Sequence, residues 1–399
     1  MAENSRRVRD GESAHVAFMA APAHGHVNPS LALVRELVGR GHRVTFAINA
    51  DFAPLVASAG ARPVLYESTF PGIDAPDDVW PTDPVAGMRL FFDEFVATLP
   101  QIEAAYEDDR PDVVVYDIGG FPAPVLAARW GVRAIQLSPT HVAYEGYDAA
   151  DSPLAVEESA ELAAFEREFE DFVAAQDVGL TAMDVRARPW RCLVALTRSF
   201  QLHGDRVGDN YTFVGPGIAA REGDGAWAPA GGRPVLLVSL GSAYNNQPGF
   251  YRLAAEAFGG LDWQVVMSIG RFFDPAELGV LPSNVEVHEW VPQRAVLEHA
   301  SAFVTHAGMG STMEGLYYGV PLIAVPQAVD QPLNAARIAD LGLGVHLPKE
   351  EVSVPALREA LCTVTADPAI GDRLDAMRRE IAAAGGPPAA ADIVESCLS

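Results

Sequence analysis

The sequence predicts an α/β protein made of two doubly wound parallel-sheet domains in tandem, and three observations predict it. Short apolar runs such as Val113-Val114-Val115 and Val235 to Leu240 read as strands buried on both faces. These runs alternate with segments of helical period, the order that builds βαβ units. The pattern breaks at Gly215 to Arg233 (GPGIAAREGDGAWAPAGGR), a stretch rich in Gly, Pro and Ala without periodicity, and then restarts. At 399 residues the chain is long enough for two cores.

Residues 1–13 are polar and charged and are expected to be a disordered tail. Ala14 to Ala21 reads as the first strand. Asn28-Pro29 then caps and opens a helix with Leu31, Val34, Leu37 and Val38 on its apolar face, which Gly39 to His42 ends. Val44 to Ile48 is a second strand and Asp112 to Tyr116 a later one. Between Glu157 and Val173, Leu162, Phe165, Phe169 and Phe172 recur at helical spacing among glutamates, giving an amphipathic helix with a solvated acidic face. An N-terminal domain over 14–214 and a linker over 215–233 follow. The second domain, 234–375, carries strands at Val235 to Leu240, Gln264 to Ile269, Ala302 to Thr305 and Leu322 to Val325. Met377, Ile381, Ile393 and Val394 mark a helical C-terminal segment over 376–399.

Composition narrows the partners. Asp plus Glu number 53 against 28 for Lys plus Arg, so the net charge of −25 disfavours nucleic acid and anionic membrane. No run of about 18 uncharged apolar residues is present, so no membrane span is expected. The N-terminal stretch lacks the continuous apolar core of a signal peptide. Cys192, Cys362 and Cys397 are odd in number, far apart and without a CxxC pair, which fits a reducing cytoplasm and offers no zinc site. The oligomeric state is left between monomer and homodimer.

In open sheets of this kind ligands sit beyond the carboxyl ends of the strands, and three post-strand segments carry chemistry. APAHGHVNPS places His24 and His26 after the first strand. VVVYDIGG ends a strand of the same half in Asp117. A carboxylate that fixes one imidazole nitrogen leaves the other to accept a proton from a substrate hydroxyl, so Asp117 and one of the two histidines form a candidate base with its orienter. FVTHAGMGSTMEGL enters a helix near Ser311. Backbone N–H groups there, close approach at Gly308 and Gly310, and the hydroxyls of Ser311 and Thr312 suit a diphosphate without a metal. His306 adds a donor, and Glu314 reaches toward ribose hydroxyls. Trp290, in a loop with Pro292 and Gln293, offers an indole for base stacking. Asp330 and Gln331, at a helix start, suit sugar hydroxyls. There is no Walker loop and no DxD metal motif.

Trp290, Gln293, His306, Gly308, Gly310, Ser311, Glu314, Asp330 and Gln331, in this order and spacing, resemble the nucleotide-sugar signature of family 1 glycosyltransferases. HGHVNPS, GARPVLY, YDI, LSPT, YTFVG, VSLGSA, PAELG, NVEVHEWVPQ, THAGMGSTMEG and AVPQAVDQ extend the resemblance from about Ala14 to the end. They look like bacterial macrolide glucosyltransferases, the oleandomycin-modifying enzymes among them.

The resemblance implies a GT-B fold of two Rossmann-like domains facing across a cleft, with the acceptor in the first, UDP-sugar in the second, and a last helix crossing back. It selects His26 over His24 as base, with Asp117 as its partner. It implies that Trp290 stacks on uracil with Val291 beside it, that Gln293 and Glu314 hold the ribose, and that Asp330 and Gln331 hold the hexose. His306, Gly308, Gly310, Ser311 and Thr312 would hold the diphosphate, with Ser242 near the phosphates. Plant members have asparagine where this chain has Gly310, a departure shared with bacterial relatives.

The expected reaction is inverting transfer of glucose from UDP-glucose, a co-substrate, to a hydroxyl of a macrolide or similar lipophilic acceptor. It would give a β-glucoside, with no tightly bound cofactor and no metal, and an antibiotic-inactivating role is implied. Phe70, Trp80, Phe91, Tyr144 and Tyr147 are candidate acceptor walls. A biosynthetic transferase using a TDP-deoxysugar, a UDP-sugar epimerase and a non-catalytic sequestering protein remain as alternatives.

Overall fold

The structure is a computed structural model that describes residues 13–72, 75, 79, 81, 83–146, 158–218, 225–242, 245–272 and 274–398. Most of the predicted tail and residues 219–224 of the predicted linker lie outside them. The chain divides into two compact units, Met1–Ala219 with Ala384–Ser399, and Ala220–Ala383.

In the first unit β1 (His15–Met19) leads through a helical turn α1 (His24–Val27) into α2 (Leu31–Gly39). Then follow β2 (Arg43–Ile48), α3 (Ala53–Ser58), β3 (Arg62–Leu65), α4 (Pro84–Ala105), β4 (Val113–Asp117), α5 (Pro122–Trp130) and β5 (Arg133–Ser138). The amphipathic α6 (Ala160–Ala174), a short α7 (Ala182–Arg186), β6 (Cys192–Val194) and β7 (Tyr211–Phe213) complete this stretch. The seven strands pair in parallel in the order β3-β2-β1-β4-β5-β6-β7.

Side-chain alternation along the central strands builds both cores. Val16, Phe18, Val113 and Val115 face Leu31, Val34, Leu37 and Val56 on one side of the sheet. Ala17, Met19, Val114 and Tyr116 face Phe92, Phe95, Val125, Phe165 and Phe169 on the other.

In the second unit come β8 (Val235–Ser239), α8 (Pro248–Phe258), β9 (Gln264–Ser268), β10 (Val285–His288), α9 (Gln293–Leu297) and β11 (Ala300–Thr305). They are followed by α10 (Met309–Tyr318), β12 (Leu322–Ala324), α11 (Gln331–Asp340), β13 (Gly344–His346), α12 (Val354–Ala366) and α13 (Pro368–Ala383). Six parallel strands pair as β10-β9-β8-β11-β12-β13. Both sheets thus reverse their strand order beside their first strand, between β1 and β4 and between β8 and β11. Loops leave in opposite directions at such a point and open a crevice.

Four expectations change. The first helical stretch opens at His24 after Ala23, and Asn28 lies within it with helical φ −54° and ψ −42°, so Asn28 is not the N-cap that opens a helix. Gln293 is the first residue of α9 rather than part of the loop. The helix expected near Ser311 begins at Met309. The C-terminal segment holds parts of two helices, because Gly385 and Gly386, at φ +84° and +58°, break it before α14 (Gly386–Ser396). Met377 and Ile381 are buried on α13 in the second unit, whereas Val394 joins the core of the first and α14 packs on α2. Among the described residues no helix is long and apolar enough to cross a membrane.

Candidate active site

At the reversal point of the first sheet, β1 delivers His26 in the first helical turn beyond its end, and its neighbour β4 ends in Asp117. His26 Nδ1 and Asp117 Oδ2 are hydrogen-bonded partners. Asp117 Oδ1 accepts the Ala21 backbone N–H at 3.0 Å, so both carboxylate oxygens are engaged and the group is fixed. Asp117 is 3% exposed and the His26 side chain 21%, which sets the carboxylate behind the ring. With Nδ1–H donating to Asp117, the imidazole lone pair falls on Nε2. His24 instead meets the edge of Phe52, ring centroids 5.1 Å apart.

Phe91 lies 5.5 Å from the His26 ring, and Phe70 meets Phe91 edge-on at 5.0 Å. The structure therefore brings these two of the five candidate acceptor walls to the dyad. Tyr144 packs elsewhere, against His203 at 4.6 Å and under the Arg206 guanidinium. Trp80 and Tyr147 lie outside the described residues.

The segment just before Phe70 is held by a residue that sequence reasoning missed. Glu94 of α4, 5% exposed, accepts the Ser68 hydroxyl at 2.9 Å and the Thr69 N–H and hydroxyl at 2.6 and 2.8 Å. Burial, and next the charge of Glu94, push the Tyr66 phenol well above its ordinary range. An acidic residue between Phe92 and Phe95 on the buried stripe of α4 was the available signal.

In the second unit the other candidates follow β8, β10, β11 and β12 in the chain. Trp290 is 67% exposed, its indole presented to solvent, while Val291 beneath it is buried. Gln293 Nε2 donates to Ser311 Oγ at 3.1 Å and to Glu314 Oε2 at 2.7 Å. Arg294, buried and unforeseen, approaches the other Glu314 oxygen at 3.8 Å. This orients a carboxylate beside the mouth of α10. Ser242 is exposed just after β8. Asp330 is the N-cap residue of α11, and Gln331 is buried with Oε1 accepting the Gln327 and Ala328 N–H groups at 2.8 and 3.1 Å.

Gly308 is the N-cap of α10, so the N–H groups of Met309, Gly310 and Ser311 have no partner within the helix and sit at its positive end. Thr312 is an exception to the expected hydroxyl pair. It shares the inward face with Leu316, one turn on; both are 0% exposed, and its hydroxyl is buried in the core. His306 is buried between two glycines. A Cβ on Gly241 would lie 2.5 Å from its Cε1, and one on Gly308 2.3 Å from its Nε2. Burial holds the imidazole at about 4, against the smaller opposing effect of the Ser239 backbone, so near neutrality the ring is uncharged. The unfolded chain takes up this proton near 6.5 and the folded one does not. The unit therefore loses stability as pH falls from about 6.5 toward 4.

The two loop glycines should part company on substitution. Gly308→Ala drives a methyl into the His306 ring and should cost about 1–3 kcal/mol, lowering the melting temperature of this unit by several degrees. Gly310 has nothing within 4 Å of a built Cβ, and its place is helical. Gly310→Ala should therefore raise the melting temperature by about 2–4 °C, from roughly 1 kcal/mol of helix propensity. Equal thermal shifts in a pair of scanning-calorimetry traces would refute this division. Among the described residues no cluster of three His, Cys, Asp or Glu side chains could hold a metal.

Residues 252–399 match the family described as erythromycin biosynthesis protein CIII-like, C-terminal domain. An oleandomycin glycosyltransferase of Streptomyces antibioticus is 46% identical over 391 residues, covering 96% of this chain and 91% of that protein. A demethyllactenocin mycarosyltransferase of Streptomyces fradiae is 35% identical, covering 97% and 87%. Among solved structures, the glycotransferase of kitacinnamycin superposes with a TM-score of 0.89 at 44% identity, covering 97% of this chain and all of the other. Two Rossmann-like parallel-sheet units and near-full-length identity at this level have one reading: the chain belongs to the family 1, GT-B natural-product glycosyltransferases, whose members use nucleotide sugar donors.

Proposed function

We propose that this enzyme transfers glucose from UDP-glucose to a hydroxyl of a macrolide or similar lipophilic alcohol, with inversion, giving a β-glucoside. The observation that carries the proposal is the His26–Asp117 pair at the reversal point of the first sheet. His26 Nε2 takes the acceptor proton while Asp117 holds the ring and favours the imidazolium. The acceptor oxygen attacks the anomeric carbon as UDP departs. Charge on the leaving diphosphate is met by the N–H groups at the start of α10, by the Ser311 hydroxyl and by neutral His306, so no metal is needed. Trp290 stacks on the uracil beside Val291. Gln293 and Glu314 bind the ribose, Ser242, Gly308 and Gly310 border the phosphates, and Asp330 and Gln331 bind the hexose.

The 46% identical relative is named for oleandomycin, which supports a macrolide acceptor. An antibiotic-inactivating role in the cytoplasm belongs to the same proposal. Phe70 and Phe91 supply an apolar wall beside the dyad.

The test is a mass-spectrometric screen of macrolides, flavonoids and other alcohols against UDP-glucose and TDP-sugars, with and without EDTA, followed by determination of the anomeric configuration. A β-glucoside formed from UDP-glucose in EDTA supports the proposal; an α-product, or strict dependence on magnesium, sinks it. The mycarosyltransferase relative favours a second reading, a TDP-deoxysugar donor, which the same screen separates. UDP-sugar incubated alone tests for epimerisation. Trp290→Ala should raise the donor KM by roughly 5- to 150-fold, since a stacked base is worth about 1–3 kcal/mol. Unchanged donor kinetics would remove the indole from the site.

A further inference from the structure

Ala307, between His306 and Gly308, adopts φ +61° although it is not glycine, and it is fully buried. Such a conformation persists only where surrounding contacts impose it, and it concentrates at functional sites. Two contacts impose it here. The Ala307 N–H donates to Thr305 Oγ1 at 3.2 Å, and the Ala307 carbonyl accepts from Asn334 Nδ2 at 3.0 Å. The same Asn334 Nδ2 donates to Asp330 Oδ2, also at 3.0 Å.

Both partners are acceptors only, so the amide must turn its NH2 toward them. Asn334 is 0% exposed and its Oδ1 has no hydrogen-bond partner. A buried amide with one unmet oxygen is a costly way to fill space. What it achieves is a tie between two loops, the turn after β11 that presents the mouth of α10 and the segment after β12 that presents Asp330.

We propose that Asn334 is the positioning residue of the donor site, its one NH2 group holding the strained Ala307 turn against the diphosphate and the Asp330 carboxylate against the hexose. It touches no ligand itself. The inference deepens the reading of the donor site given above and rests on it.

The experiment is calorimetric titration of wild type, Asn334→Ala, Ala307→Gly and the double variant with UDP, TDP and UDP-glucose, with melting temperatures recorded alongside. Asn334→Ala is expected to weaken nucleoside diphosphate binding by about tenfold or more, and UDP-glucose by about threefold beyond that, because the hexose also loses an oriented Asp330. Glycine adopts the left-handed turn without strain. In the Ala307→Gly background the diphosphate loss should therefore shrink to about threefold or less, while the extra loss on UDP-glucose persists. A residue that merely supports folding would lower the melting temperature without this selective rescue. The proposal is overturned if Asn334→Ala binds the diphosphates within about twofold of wild type, or if the double variant is as badly affected as the single one in binding or in folding. Wild-type binding of TDP but not UDP would count against UDP-glucose and leave the 307–334 coupling measurable.

Discussion

His26→Ala is expected to lower kcat by about 10²- to 10⁴-fold, the usual contribution of a positioned base, while leaving affinity for the sugar nucleotide near wild type. The donor candidates all lie in the second unit, whereas His26 and its partner belong to the first. Asp117→Asn keeps the shape of the side chain but removes the charge that favours the imidazolium. It should depress kcat strongly with a smaller change in acceptor KM. His24→Ala should be much milder, since its ring lies against Phe52 and its neighbour holds the carboxylate. Steady-state kinetics with a saturating donor decide the matter. An inactive His24→Ala beside a fully active His26→Ala would reverse the assignment.

Deletion of residues 386–399 should unfold the first unit or bring it close to unfolding. Ala390, Ala391 and Val394 of α14 are almost completely buried in the same core as Val16, Leu33 and Leu37. Around them Arg40 reaches Asp392 at 2.6 Å and Glu395 at 2.7 Å, and His42 meets Glu395 at 2.9 Å. His42, and after it Arg40, hold the Glu395 carboxyl below its usual range. Exposing that face should cost on the order of 5 kcal/mol, comparable with the whole stability of many domains. In the calorimeter the first unit should melt at least about 10 °C lower, or the protein should be recovered aggregated. A soluble truncated chain with an unshifted transition would show that α14 is dispensable. The expected large loss comes from α14 alone, because Met377 and Ile381 serve the other unit.

Much of the candidate site could be nominated from the sequence because its residues follow strands. Trp290, Ser311, Glu314 and Asp330 stand in short segments whose chemistry is local: an exposed indole, a helix mouth, a helix start. Both parallel sheets were legible for a similar reason, since uninterrupted apolar runs such as Val113 to Val115 have few other uses than a strand covered on both sides. The exact helix openings were not, because Gly308 caps α10 by backbone conformation alone and Ala23 precedes α1 without any capping side chain.

By itself the sequence determined that this is a two-unit α/β chain with its chemistry at strand ends, since hydrophobic period and turn residues act over a few positions. Residue spacing left His24 and His26 open, the resemblance chose His26, and the tertiary structure supplies the physical reason that it is His26 that meets the carboxylate. His26 and Asp117 are 91 residues apart, and no spacing rule distinguishes His26 from His24; strand order brings β1 and β4 together, and the turn of α1 aims one ring at Asp117. Tertiary structure alone decided that Thr312 turns inward, that His306 is uncharged between two glycines, and that Asn334 reaches Ala307 across 27 residues. Those outcomes depend on burial and on long-range hydrogen bonds, quantities that exist only once the sheet has brought distant segments side by side.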